Sequence, residues 1–353
     1  MVVKYFRDSM YTLLLISFIL CSDQGSRDAM HFPETIALSG KELTIENVYM
    51  KYPFRIRLKG SNLFVTDLHP VDYYCHWFSY PSMEYQRGFA KRGEGPHEYL
   101  DAENIRFDAG SSVWILDANN RKITKFLTDA PENTDTKINL SKELVRTLDF
   151  DVLNDSVFIV PDYTGENRLC FIDRQGKILK KAFAIPAPKS NRKGSDVMMA
   201  QAWRSFVSYN PDRGILATVT QLGQVVEIYD IKNDSLIRAL NQKAGAPRFQ
   251  ERGGYAIPDG IMGYSDVYVG NENIYAVFWG HSFDDIKRNK IETEGGHFIH
   301  VFDLEGNPVR RYLLDRYITG FCIDEEQKRI IALDVNSNQP IVEYLYDEIT
   351  EQI

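Results

Sequence analysis

One pattern recurs six times between Tyr52 and Tyr346: a short strand, a turn, a stronger apolar strand, a second turn, then one or two further strands. Each unit runs about fifty residues, a period that marks repeat architectures. The second strands align as NLFVTD (62–67), SVWILD (112–117), SVFIVPD (156–162), GILATV (214–219), NIYAVFWG (273–280) and RIIALD (329–334). The third strands align as KITKFL, RLCFIDRQGK, VVEIYDIKND, HFIHVFDLEGN and IVEYLYD. The DRQGK and DLEGN stretches read as tight hairpins, where glycine supplies a positive φ. No helical period of 3.6 residues competes with this strand–turn alternation. The expected fold is therefore all-β: a six-bladed β-propeller of four-stranded antiparallel blades, whose radial closure protects the sheet edges. The last unit has only three strands before the chain ends. The early segment KELTIENV (41–48) is expected to add its outer strand, closing the ring as an N-terminal strand that joins the last blade. No boundary divides residues 33–353, which read as one propeller. A pair of β-sandwiches is the rival architecture, but it does not require units of such similar internal order.

Composition agrees with that architecture and excludes several functions. Aromatic residues make up 12% of the chain, with 20 Tyr and 20 Phe beside 23 Gly and 14 Pro, a β-rich signature. At 44% hydrophobic and 25% charged, the chain is neither a disordered tail nor a polytopic membrane protein. The formal net charge of −8 argues against non-specific nucleic-acid binding, which needs excess Lys and Arg against phosphate.

Lys4 and Arg7 precede an apolar run, YTLLLISFIL (11–20), that ends at Cys21. Ten helical residues rise only about 15 Å, roughly half a bilayer core, so the run reads as a secretory signal rather than a span. With the polar SDQGSRD that follows, it resembles the signal of bacterial lipoproteins. That resemblance implies lipidation at Cys21, a linker over 22–32 and a membrane-tethered product in the cell envelope, in the outer membrane or facing the periplasm. An unmodified Cys21 and a secreted product form the alternative. Cys75, Cys170 and Cys322 lie in apolar runs without a CxxC pair, and so are expected to be buried thiols rather than disulfides or zinc ligands.

The most specific string is KRGEGPHEYL (91–100), between the first and second units. Through Gly93, Gly95, Pro96, Glu98 and Tyr99 it resembles the G-x-G-P-x-E-[FY] signature of the TolB-like six-bladed propeller lipoproteins common in Bacteroidetes. The strand that follows, ENIRFDAGSSVWILDANNRKITKF, is similar to that family's second blade. The resemblance implies a secreted or lipid-anchored propeller and carries over no catalytic residue. Locally, Gly93 and Gly95 suit a sharp turn, Pro96 stiffens its exit, Glu98 is placed to accept backbone N–H groups, and Tyr99 to pack over the turn. The competing reading puts Arg92, His97 and Glu98 in a site.

In a propeller, blade-to-blade connections and the loops between second and third strands emerge on one face. The long insertions 184–203, 241–260 and 281–296 are assigned to those two classes, and long loops on a rigid scaffold are where binding residues concentrate. The first two are locally basic, with Lys189, Arg192, Lys193, Arg248 and Arg252. The candidate ligand- or partner-binding residues are Arg92, His97, Trp203, Arg204, Arg248, Tyr255 and His281, because aromatic and Arg side chains most often anchor binding. Asp117, Asn119 and Asn120 are candidates for the channel mouth, although such residues also close turns. No diagnostic catalytic motif appears, and His281, Ser282 and Asp284 are neighbours in sequence only. His69 with His76, and His297 with His300, have odd separations that put each pair on opposite strand faces, so no metal is expected. No cofactor is implied. The chain thus reads as an envelope propeller that binds an unknown ligand or envelope protein without catalysis. A glycan hydrolase or lyase with a site assembled at the channel mouth is the alternative, and a periplasmic scaffold a third possibility.

Overall fold

The computed structural model describes residues 30–110, 112–127, 136–144, 147–186, 195–288 and 293–346. The signal, Cys21, most of the linker, and Lys189, Arg192 and Lys193 lie outside these residues. Six antiparallel sheets surround one axis. Blade 1 is formed by Pro53–Lys59, Asn62–Asp67, Tyr73–Ser79 and Tyr85–Lys91. Blade 2 follows with Ala102–Phe107, Ser112–Asp117, Lys122–Leu127 and Lys137–Asn139, and blade 3 with Asp151–Asn154, Val157–Pro161, Asn167–Asp173 and Ile178–Ala184. Blade 4 holds Ser205–Asn210, Ile215–Thr220, Val226–Asp230 and Ser235–Leu240. Blade 5 holds Tyr264–Val269, Asn273–Phe278, Gly296–Asp303 and Pro308–Ile318, and blade 6 holds Gly320–Asp324, Arg329–Leu333 and Ile341–Leu345. In every blade the first strand is innermost, as shown by the contacts from each such strand to the next around the ring.

The second strands are apolar almost throughout because both of their faces are covered. Phe64, Ile115, Ile159, Ala217, Ala276 and Ile331 are all buried there. The core lies between adjacent blades, with Phe64, Phe89, Ile105 and Phe126 filling the seam between blades 1 and 2, and Ile56, Leu63, Cys322 and Leu333 the seam between 6 and 1. All three described cysteines are buried and free. Outer strands meet water, as Ser235–Leu240 does along most of its length.

The ring closes as expected. Lys41–Glu42 pairs antiparallel with Ile341–Leu345 as the outer strand of blade 6, extended by Leu43 N donating to Ile341 O at 2.8 Å. A second N-terminal strand has no counterpart in the sequence reading. Thr35–Leu38 pairs parallel with Pro308–Ile318 and makes blade 5 five-stranded, with Phe32 buried against His300 and Phe302. The N-terminal segment therefore straps blades 5 and 6 together.

The three insertions each carry an added element: the helix Asp196–Ala202, the hairpin Phe249–Arg252/Tyr255–Pro258 and the helix Phe283–Lys287. Strand order puts all three on the face predicted for them. One long link departs from the expected one-sidedness: the third strand of blade 2 ends at Leu127 and its fourth begins at Lys137, and those two ends lie on the opposite face.

Candidate functional site

Inner strands from every blade face the axis. Register shifts interrupt the inner strands of blades 1, 2 and 5 at equivalent positions, between Pro53/Arg55, Ala102/Asn104 and Tyr264/Asp266. Such bulges re-aim side chains, and the residues that follow them are the polar groups of the axis. Arg57 makes a bidentate pair with Asp266, Nη1 to Oδ2 at 2.8 Å and Nη2 to Oδ1 at 2.9 Å, tying blade 1 to blade 5. Arg55, only 1% exposed, lies between the rings of Phe54 and Phe206, at 3.8 and 4.6 Å, with its Nε 3.8 Å from Asp266. Arg106 donates through Nε to Phe150 O at 2.7 Å and through Nη2 to Asp149 Oδ1 at 3.2 Å. Asp149 and Asp151 in turn accept Val207 N and Tyr209 N of blade 4, each at 2.8 Å.

These charges answer one another. Burial alone would raise the Asp266 carboxyl, but the Arg57 and Arg55 guanidiniums outweigh it and hold the group below the usual carboxylate value. Burial pushes Arg55 down to about 10 despite Asp266. Burial also raises the Asp151 carboxyl, against the pull of Arg106. The axis is a set of cross-blade pins in which most donors and acceptors are already engaged.

The face that carries the insertions is different. A cleft of about 370 Å³ opens between blades 1 and 2, lined by Lys51, Leu68, His69, Pro70, Tyr74, Arg92, Leu100, Asp101 and Asn119. Its base is fixed by backbone chemistry. Asp67, buried at the end of the second strand, accepts Lys51 N at 2.6 Å, Tyr52 N at 2.9 Å and His69 N at 2.9 Å. Tyr74 donates its hydroxyl to Leu100 O at 2.5 Å. Burial first, and Asp101 second, raises that phenol above its ordinary value. Arg92 donates to Pro70 O at 3.0 Å, which holds the guanidinium at the cleft and leaves the rest of its fork open. Lys51 Nζ and the Asn119 amide have no partner among the described residues. Beside the cleft, the Tyr52 ring lies 5.5 Å from that of His69, and its hydroxyl donates to Glu294 of the blade 5 insertion. Burial and Glu294 together raise the Tyr52 phenol.

The GEGPHEY string supports this cleft from below. Glu98 accepts Gly95 N at 2.9 Å and pairs with Lys91 Nζ at 2.9 Å. Gly93 has a φ of +157°, which residues with a side chain rarely adopt, and a Cβ there would displace the Glu98 carboxylate from its place in the turn. Tyr99 is buried over the turn, beneath Lys122. The string is thus a clamp between blades whose first residues carry Arg92 to the cleft.

The seven sequence candidates do not converge. Arg92 lines the cleft, while His97 is exposed on the adjacent loop and outside the lining. Trp203 is 5% exposed: it caps the helix Asp196–Ala202, stacks on Arg168 at 5.1 Å and accepts Arg168 Nη1 at its carbonyl, so it belongs to the core. Arg204 is half-buried, with Nε on Gln201 O at 3.2 Å. Arg248 is exposed and 3.7 Å from Asp259. Tyr255, 62% exposed, stands on the hairpin that docks to the helix through Ala256 N and Gln201 Oε1. His281 is buried beside His297 and Tyr317. Ser282 caps the helix Phe283–Lys287 and donates to Asp285 at 2.7 Å, which commits its hydroxyl to the turn. Among the described residues no group of three or more His, Cys, Asp and Glu is placed to hold a metal ion. Lys51, Tyr74 and Asp101 were missed because nothing local marks them. His69 and Asn119 were noticed for other reasons.

A second cleft, about 380 Å³, lies between blades 5 and 6 on the opposite face. Its polar groups hold the seam together: Glu325 accepts Asn271 N at 2.9 Å and Asn271 Nδ2 at 2.8 Å. The Tyr346 ring packs 6.2 Å from Tyr275 and 6.0 Å from Tyr312.

A family model described as TolB-like 6-blade propeller-like matches residues 31–326. No curated protein matches the sequence. Among solved structures, a member of the duf4221 family from Bacteroides vulgatus is similar at a TM-score of 0.56 and 9% identity, covering 87% of this chain and 95% of that one. The WD40 repeats of RRP9 are similar at 0.52 and 7% identity, covering 88% and 98%. The Pan2 WD40 domain of Neurospora crassa is similar at 0.50 and 11% identity, covering 83% and 89%. At such identities the likeness is one of fold.

Proposed function

The chain belongs to the TolB-like six-bladed propeller family, and on that premise we propose that it is a binding propeller of the cell envelope that captures an anionic group in the cleft between blades 1 and 2. The observation that carries this reading is the cleft's cationic lining. Lys51 and Arg92, with His69 beside them, share the lining with one carboxylate, Asp101, while Asp67 at the base is engaged by backbone N–H groups and Glu294 beside the cleft by the Tyr52 hydroxyl, on a chain whose net charge is −8. Arg92 offers a planar fork suited to carboxylate or phosphate, and Lys51 a mobile point charge. A cleft of this size on a rigid scaffold falls in the range of ligand sites. The envelope location rests on the apolar run 11–20 and Cys21, and mass spectrometry of the membrane fraction tests it: a diacylglyceryl Cys21 at the mature terminus is expected, and a soluble product starting beyond Cys21 overturns the tether. Binding is tested by calorimetric titration of the full chain with glutarate and with inorganic phosphate, beside the Lys51→Glu variant. Saturable binding that the variant weakens about tenfold or more is expected. No binding, or binding indifferent to Lys51→Glu, overturns the reading.

A further inference from the structure

One residue of the cleft between blades 1 and 2 is out of place in a site for a simple anion. Asp101, half-buried, shares the lining with Arg92 and Lys51. It lies toward Arg92: burial most of all, then Asp101, raise the Tyr74 phenol and Arg92 lowers it, so both charges bear on one hydroxyl. A carboxylate so near the cations repels an incoming carboxylate or phosphate and costs affinity for either. It becomes an asset where the ligand also brings hydroxyl groups, because an ionised carboxylate only accepts hydrogen bonds and a hydroxyl donates them. Asn119 adds an amide that both donates and accepts and has no partner among the described residues. Leu68, Pro70 and Leu100, the last 42% exposed, give the same lining an apolar part.

We infer that the bound anion is the carboxylate of a sugar acid, a hexuronate either free or at the end of an acidic glycan, whose ring hydroxyls and C–H groups occupy the rest of the cleft. The inference rests on the anion-binding reading above and narrows it to one ligand class. A hexuronate carries three kinds of surface on one ring: a carboxylate, adjacent hydroxyls and a patch of C–H groups. The cleft holds a counterpart for each. Arg92, steadied by Pro70 O at 3.0 Å, and Lys51 answer the carboxylate. Asp101 and Asn119 answer the hydroxyls, and Leu68, Pro70 and Leu100 the C–H patch. A dicarboxylate such as glutarate engages only the first set, and a neutral sugar only the other two. A site of this kind, apolar surface with a few convergent polar groups, is the usual make-up of a small-molecule pocket.

The test is calorimetric titration of the full chain with galacturonate, glucuronate, their neutral parents galactose and glucose, glutarate, and trigalacturonate. The better uronate is expected to bind about tenfold or more tighter than glutarate and than its own neutral parent. Asp101→Asn should lower the uronate's advantage over glutarate about tenfold, because it removes a hydroxyl acceptor for one ligand and only a repelling charge for the other. Asn119→Ala should weaken the uronate alone, Lys51→Glu should weaken both ligands, and Leu236→Ser on the outer edge of blade 4 should change neither. Tighter binding of trigalacturonate than of galacturonate assigns the site to a glycan end, and equal binding to the free sugar acid. If glutarate binds but no uronate binds more tightly, or if Asp101→Asn and Asn119→Ala leave the advantage intact, the sugar-acid inference fails while anion binding stands. If the neutral sugars bind as tightly as the uronates, or if nothing binds, the anion-binding reading has failed and this one with it.

Discussion

Blade 1 holds two pairs of cations that differ in everything except charge. Arg55 and Arg57 project from its inner strand to the axis, where Asp266, the carbonyls of Thr319 and Phe321 and the rings of Phe54 and Phe206 surround them. Lys51 and Arg92 flank the same blade at its rim, where one guanidinium donor is engaged and the ammonium has no partner among the described residues. The buried pair has had its water replaced by carboxylates and carbonyls of other blades, so it holds the ring together and has little left to offer a ligand. The rim pair is exposed and keeps most of its donors open, which is what the proposed anion site requires. Residue type does not separate a structural cation from a recognition cation; the number of its donors already occupied does.

The largest expected effect is at the axis. Asp266→Ala leaves two buried guanidiniums without their carboxylate, and about 3–5 kcal/mol of stability should be lost in denaturant unfolding. A loss below about 1 kcal/mol, the range of exposed pairs, would break the comparison, because the axial pairs would then be dispensable. Trp203→Ala should cost about 3 kcal/mol by the same measurement, since the residue is a buried cap packed on Arg168; unchanged stability with lost binding would favour a role in the site instead. Acid should shrink the first effect. The folded Asp266 carboxyl lies below its unfolded value, so its contribution is complete above about pH 4 and is lost as pH falls through the lower folded value. The stability gap between the wild type and Asp266→Ala should therefore stay constant at neutral pH and narrow below about pH 4. The smallest change in stability is expected at the rim, where Lys51→Glu should stay within about 0.5 kcal/mol of wild type while anion binding falls. A large stability loss there would mean that the rim cation is structural as well.

Much of this architecture was legible in the residues. NLFVTD, SVWILD and KITKFL are strands with the expected limits, and the other second strands agree to within a residue or two. Glu98 and Tyr99 occupy the places that the turn chemistry of GEGPHEY implied. The candidate site was less legible. Arg92 was found because it borders that string, whereas Lys51 lies in an irregular segment, and Trp203 carries the same surface-loop signature whether it points inward or outward.

Strand identity, turn chemistry, the sixfold repeat and the spare strand that closes it were determined by the sequence itself, because alternation and turn preference act between residues a few positions apart. Three things were decided only by the tertiary structure. Thr35–Leu38 joins blade 5 although nothing local selects its parallel partner near Arg311. Arg57 and Asp266 find each other across 209 residues. Lys51, His69, Arg92 and Asn119 line one cleft although they come from separate connections. Each depends on how far closure of the ring carries distant backbone segments toward one another, and on which polar groups that closure strips of water. A pattern read along the chain contains neither quantity.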